Sequence, residues 1–395
     1  MNSRERILMA LSHKEPDRVP IDLGGCKASG IMGIAYNELK RYLGIEKDRT
    51  RIYDFGQQLA LPEEELLKRF NVDVRPVCFL PDCWKRWTLP DGSECEVPCN
   101  LNPEKENGSF VLKSKSGIIT ARMPDNGYYF DTVYHPLKDA KEINDIEKYL
   151  WQYEYDKKEV ENLRNKAKAL YENTDYALML DDAGSIYECA QELRGWDIFL
   201  MDLVSNQKFA EYLLDKITEV KIELAKQLLE AVGDYVQVVQ IGDDLGMQDG
   251  PQISPALYRK TVKPRHKKLC EFIKRNTDAY LLIHSCGSVY DFIPDFIDIG
   301  IDVFNPVQVS AKNMDNKMLK QEFGKDISFW GGSCDTQKVL PFGTPEEVKE
   351  EVKKRICDFA PGGGFIFNQV HNIQANVPPE NIMAMYEAVM EYGKY

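Results

Sequence analysis

Apolar runs recur through the second half of the chain, at Tyr176–Leu180, Tyr235–Ile241, Tyr280–Ile283, Ile301–Phe304, Ile327–Trp330 and Gly364–Phe367. They are continuous rather than alternating, which is the signature of strands buried on both faces, as in a parallel sheet. Helical patterns separate them, the longest near 206–231 and 254–275. Two helices carry start signals: Ser254 before Pro255, and the capping box Thr344-Pro345-Glu346-Glu347 with proline at the first helical position. Upstream, Ser3 caps a short helix, Arg18–Gly25 reads as a strand with Asp22 near its end, and Asp73–Cys78 reads as another, with helical stretches near 30–43 and 61–70 between them. Eight strands, most followed by a helix, predict an α/β protein of the (β/α)8 TIM-barrel type. From about 84 to 132 the pattern changes: Trp84, Trp87, a Pro-Asp-Gly turn at 90–92, Phe110–Lys113, a Lys115-Ser116-Gly117 turn and Ile118–Arg122 predict β-hairpins. Helices follow at about 138–151 and 157–172, so the expectation is one barrel domain over 1–395 with an N-terminal hairpin and helical insertion at about 84–172.

Charge narrows the range of partners. The 395 residues carry 50 Lys+Arg against 63 Asp+Glu, a net −13, and nucleic acid or an anionic membrane surface needs a basic footprint that this balance lacks. Residues 1–20 mix charge into every turn, and no window approaches the ~18 apolar residues of a membrane span. The expectation is a soluble, cytoplasmic protein, with homo-oligomerisation left open. The cysteines, at 26, 78, 83, 95, 99, 189, 270, 286, 334 and 357, are scattered as buried thiols with a minority of ligands would be, not as a disulfide framework. Cys83, Cys95 and Cys99 lack the fourth ligand that a structural zinc site would need.

In a barrel of this class the chemistry lies at the carboxyl ends of the strands. Those ends read Asp22, Asp181-Asp182, Gly242-Asp243-Asp244, His284-Ser285-Cys286, Asn305, Gly331-Gly332-Ser333-Cys334 and Asn368 to Asn372 with His371. In an extended segment His284 and Cys286 share one face, half of a metal site. Cys334, two strands on, brings the count to the three His/Cys ligands of a catalytic zinc with an open position. The plain alternative is two packed thiols and a hydrogen-bonded core histidine. Of Asp243 and Asp244, at most one faces the mouth directly; the other caps or orients. Three roles are open to His371: ligand, general acid, or hydrogen-bond donor to a substrate. G-x-G-x-x-G, G-x-x-x-x-G-K-[ST] and G-x-S-x-G are absent, which removes dinucleotide, P-loop and nucleophile-elbow readings.

The stretches RERILMALSHKEPDRVPIDLGG, IGDDLGMQDGPQISPALYRKTVKPRHKKL, LLIHSCGSVYDFIPDFIDIGIDVFNPVQ, WGGSCDTQKVLPFGTPEEV and APGGGFIFNQVHNIQANVPPENIMAMYEAV together resemble the uroporphyrinogen decarboxylase-like superfamily, in particular its corrinoid-dependent methyltransferase branch. The resemblance implies the barrel, and a zinc bound through the H-x-C pair His284 and Cys286 plus a later cysteine. In the thiol-methylating members that third ligand lies nearer the glycine turn matching Gly362–Gly364, so Cys334 is a substitute here. It further implies methyl transfer between a small molecule (a methoxy compound, a methylamine, or a thiol or thioether) and the cobalt of a corrinoid protein, with Asp243 or Asp244 and His371 orienting or protonating the substrate. No D-x-H-x-x-G corrinoid motif is present, so the corrinoid is expected on a partner protein docking over the mouth. The decarboxylases carry an arginine-rich motif after the first strand, where this chain reads DLGGCKASG. Decarboxylation of a polycarboxylate is therefore the weaker expectation, and a non-catalytic corrinoid- or porphyrin-binding barrel is a third.

Overall fold

The computed structural model describes residues 1–45, 49–125 and 127–395. Seven of the expected barrel strands form one parallel sheet in sequential order: Val74–Val77, Ala177–Leu180, Val238–Gly242, Tyr280–His284, Val303–Asn305, Ser328–Trp330 and Phe365–Ile366. They are numbered here as barrel strands two to eight. The first is shorter than expected, with Ile21 alone in a parallel bridge, to Phe367. It nonetheless closes the barrel. Toward strand eight, the Asp22 amide donates to the Phe367 carbonyl at 2.9 Å and the Phe367 amide to the Pro20 carbonyl at 2.8 Å. Toward strand two, the Asp73 amide donates to the Ile21 carbonyl at 2.8 Å, and the Ile21 amide donates to the Asp73 carboxylate at 2.9 Å.

Asp73 is fully buried at this seam. Its Oδ1 also accepts from Ser3 Oγ (2.8 Å), Arg6 Nη1 (2.7 Å) and Arg18 Nη2 (3.0 Å), and its Oδ2 accepts from Arg18 Nη1 (2.8 Å). A carboxylate this deep is tolerated only when its lone pairs are filled by charged donors. Arg6 lies on the helix Ser3–Leu11, whose cap is Asn2 in a box with Glu5 rather than Ser3. That helix turns Ile7, Ala10 and Leu11 into the same apolar cluster as Val74, Met179, Val238, Leu282, Val303, Trp330 and Ile366, plugging the barrel at the end opposite the mouth.

Side-chain phase along the strands decides what reaches the mouth. Leu282 belongs to the interior cluster, while Leu281 and Ile283 pack outward with the helices. Likewise Val238 points in and Val239 and Ile241 out, and Met179 in and Leu180 out. Continued by period two, the inward phase reaches Asp181, Asp244 and His284, and the outward phase reaches Asp243.

Two helices of the outer layer, Tyr187–Arg194 and Trp196–Ser205, were not anticipated from the sequence pattern. The expected helix at 254–275 is divided into Pro255–Thr261 and Lys263–Asn276, with Pro264 in the first turn of the second. The insertion is larger than expected at its start. The hairpin of Trp84–Thr88 and Glu94–Pro98 recruits Thr50–Asp54 as a parallel neighbour, which in turn pairs with Leu59–Ala60. A second antiparallel sheet runs from Glu104–Glu106 through Ser109–Lys113 and Ile119–Pro124 to Asp131–Thr132. Cys83 and Cys99 form a disulfide at the base of the first hairpin, a departure from the expectation of free thiols, and Cys95 is a buried thiol nearby. No helix among the described residues is long and apolar enough to cross a membrane.

Asp73→Ala leaves Arg6, Arg18 and the Ile21 amide without their acceptor and is expected to lower unfolding free energy by about 3–5 kcal/mol in urea titration. Asp17, hydrogen-bonded by Arg6 at the same seam, has its carboxyl held down to about 2. Its folded value lies below the unfolded one, so its contribution is present above about pH 4 and lost as pH falls toward 2. The stability gap between wild type and Asp17→Asn should close over that interval.

Candidate active site at the barrel mouth

Asn305 ends strand six beside His284, which ends strand five. The Asn305 amide nitrogen donates to the Trp330 carbonyl at 2.8 Å, which turns its oxygen toward His284 Nδ1, 2.6 Å away. An amide oxygen only accepts, so Nδ1 carries the proton and Nε2 presents its lone pair. Cys286 Sγ lies 3.4 Å from that Nε2, with the thiol as donor. Burial, then the neighbouring Asp244 and Glu188 carboxyls, push the thiol well above its usual range.

His371, from the loop after strand eight, completes the group: one ligand atom each from His284, Cys286 and His371 lie within 4.8 Å of one another. Its ring meets His284 edge to face, with centroids 5.7 Å apart. Burial, reinforced by His284, pulls its imidazole down to about 4, so it is neutral at physiological pH. Asp244 borders the group, accepting from the Cys286 amide at 2.7 Å with its Oδ1 3.7 Å from His284 Nε2.

Cys334 is not brought to this pair. Gly331 and Gly332 take φ of +89° and +82° directly after strand seven, which breaks the alternation on which the expectation for Cys334 relied. Its buried thiol instead donates to Glu351, at 3.4 Å, on the helix Pro345–Phe359. Asp243 is also directed away from the mouth, as its outward phase requires. It accepts from Ser185 Oγ (2.9 Å), from the Ile186 and Glu188 amides (2.8 and 2.7 Å) and from His266 Nε2 (2.7 Å). Although burial opposes it, His266 and those amides hold the Asp243 carboxyl below its usual value. It thereby caps the helix Tyr187–Arg194 from a neighbouring strand. Asp22 is likewise committed, accepting from Trp330 Nε1 at 2.8 Å.

Glu188 escaped the sequence reading. In Ser185-Ile186-Tyr187-Glu188 it has the S-x-x-E spacing of a capping box, but Asp243 supplies the cap. Desolvation, then Asp244 and Asp243, raise the Glu188 carboxyl far above the usual range, placing a protonated acid beside Asp244. Gln57 and Tyr129 from the insertion were missed as well. Asn372 Nδ2 donates to Gln57 Oε1 at 2.6 Å, Tyr129 Oη donates to Asn372 Oδ1 at 2.9 Å, and Gln374 Nε2 donates to Tyr129 Oη at 2.7 Å. These bonds hold the loop that carries His371.

Fold and site together define a (β/α)8 barrel with a candidate metal centre at the carboxyl ends of its strands. Residues 137–392 match the model of the uroporphyrinogen decarboxylase (URO-D) family, and the chain belongs to that family. It is 23% identical over 220 residues to the uroporphyrinogen decarboxylase of Vesicomyosocius okutanii, covering 55% of this chain and 56% of that protein. It is 23% identical over 261 residues to the methylcobamide:CoM methyltransferase of Methanosarcina acetivorans, covering 64% and 70%. To the methylated-thiol–coenzyme M methyltransferase of Methanosarcina mazei it is 29% identical over 139 residues, covering 35% and 34%. The chain thus spans about half the length of the first curated relatives it matches. A solved methyltransferase from Methanosarcina mazei shares the fold, with a TM-score of 0.61 at 19% identity over 99% of both chains.

Asp243→Ala strands a buried His266 and uncaps a helix, and should lower stability by about 3 kcal/mol or more. Circular dichroism melts check this, with Asp244→Ala as the milder comparison.

Proposed function

We propose that His284, Cys286 and His371 hold a zinc ion, and that the chain moves a methyl group between a small molecule and the cobalt of a corrinoid carried by a separate protein. The observation that carries the metal reading is the 3.4 Å separation of His284 Nε2 and Cys286 Sγ. Tetrahedral zinc with bonds of about 2.0 Å to nitrogen and about 2.3 Å to sulfur sets such a pair about 3.5 Å apart. His371 stands in the place foreseen for Cys334, and three protein ligands leave a fourth position for substrate.

The residues have separable tasks. Asn305 fixes the His284 tautomer and ring angle, the outer support metal-binding histidines need. Cys286 must surrender its proton on binding, so affinity rises with pH. Neutral His371 offers a lone pair without that cost. When bound, zinc supplies Lewis-acid activation of the substrate heteroatom, or holds a thiol as thiolate near neutral pH. Asp244 orients Cys286 through its amide, and the Glu188 carboxyl, held protonated by burial and the neighbouring Asp244, would be the donor to a leaving heteroatom.

Two methyltransferases among the relatives support the direction of this reading. Decarboxylation of a polycarboxylate is less well served. Lys27 is the single cation of the DLGGCKASG stretch, and it already faces Asp54 and Asp182 at 3.5 and 3.8 Å.

Elemental analysis should find one zinc per chain, lost in Cys286→Ser and His371→Ala and kept in Cys334→Ser. Asn305→Ala should weaken zinc binding about 10- to 100-fold in chelator competition. Methylation of reduced free cobalamin by methoxy, methylamine and thioether donors, followed by its colour change, tests the transfer. Zinc and transfer both surviving in Cys286→Ser would overturn the proposal.

A further inference from the structure

On the side of the mouth built by strands one to three, two polar atoms are buried without a partner: Asp181 Oδ2 and Tyr53 Oη. Asp181 is 8% exposed and in the inward phase of strand three. Tyr53 comes from the insertion strand Thr50–Asp54, and its hydroxyl lies within electrostatic reach of Asp181 and Asp54. Buried polar atoms are almost always paired in a folded chain. Two orphans in one neighbourhood are what a site shows when a ligand supplies the missing bonds.

The local charge selects the ligand. Lys27 bridges Asp54 and Asp182, but no hydrogen bond satisfies Asp181 Oδ2. The Asp54 and Asp182 carboxylates, with the Asp181 carboxyl beside them, stand against the one ammonium of Lys27, a balance that disfavours an anion and favours a cation. A metal ion is a poor candidate, because the one metal-competent cluster among the described residues is His284, Cys286 and His371. An N–H-bearing cation meets both requirements: it donates to Asp181 Oδ2, which accepts once the carboxyl is ionised, and to Tyr53 Oη, which accepts through its lone pairs. Burial, only partly offset by Lys27 and aided by Asp182 and Asp54, lifts the Asp181 carboxyl to about 7, which an approaching ammonium would reverse. Gln57 joins the two sides: its backbone amide donates to Asp54 Oδ1 at 2.8 Å, and its Oε1 accepts from Asn372 Nδ2, next to His371, at 2.6 Å, so the two sets of groups border one mouth.

We propose that the small-molecule substrate carries an ammonium group, and that Asp181 and Tyr53 bind it across the mouth from the His/Cys cluster. This rests on the methyl-transfer reading only in calling the ligand a substrate; the recognition itself needs neither metal nor corrinoid.

Calorimetry on the full-length protein, with and without chelator, compares three ligands of nearly equal size: 2-methoxyethylammonium, 2-methoxyethanol and methoxyacetate. The cation should bind at least tenfold more tightly than the other two, with or without chelator. Asp181→Asn should erase that preference, and Tyr53→Phe should reduce it, with melting temperatures confirming the fold of each. Equal or tighter binding of the neutral or anionic compound, no saturable binding of the cation, or an unchanged preference in both variants would overturn the proposal. If Asp181→Asn does not fold, Tyr53→Phe alone decides. Loss of methyl transfer with this preference intact would count against the zinc and corrinoid reading instead.

Discussion

Parallel strands close into a cylinder only if the last pairs with the first, and here the first is a few residues around Ile21. One side chain makes up the deficit. Asp73 stands in as an acceptor for the Ile21 amide where strand two offers no carbonyl, and Ser3, Arg6 and Arg18 fill its remaining lone pairs. With the seam shut, the interior rows stay in phase around the barrel. That phase decides which residue of each strand end arrives at the mouth.

The same phase explains the different fates of similar residues. Asp243 and Asp244 are neighbours in sequence but serve different layers, one capping an outer helix and contacting His266, the other beside Cys286. Asp22 points inward and is consumed by Trp330, whereas Asp181 points inward and keeps an oxygen unpartnered. A carboxylate after a barrel strand is therefore no more than a candidate until its hydrogen-bond acceptors are accounted for.

Most of the barrel was legible because its strands are short continuous apolar runs and its helices amphipathic, both local properties. His284 and Cys286 were legible for the same reason, since period-two spacing within one extended stretch is local too. Cys334 was not, because two left-handed glycines intervene, and glycine in a sequence does not announce which conformation it takes. His371 had no assignable role in sequence because a loop, not a strand, carries it. Tyr53, Gln57 and Tyr129 come from the insertion, whose contacts with the mouth depend on long-range packing. The pairing of Thr50–Asp54 with Glu94–Pro98 was hidden likewise, since parallel partners share no turn.

The bonds from Gln57 and Tyr129 to Asn372 and Gln374 make two distant stretches of the chain a single inheritable unit. The insertion steadies the very loop that delivers the second imidazole, so neither can be exchanged alone. A chimera that imports another barrel's roof would have to import its last loop with it, and substitutions at these four positions should travel in sets through descent. Diversity in what this mouth accepts would then arise by replacing roof and loop together while the cylinder beneath is kept.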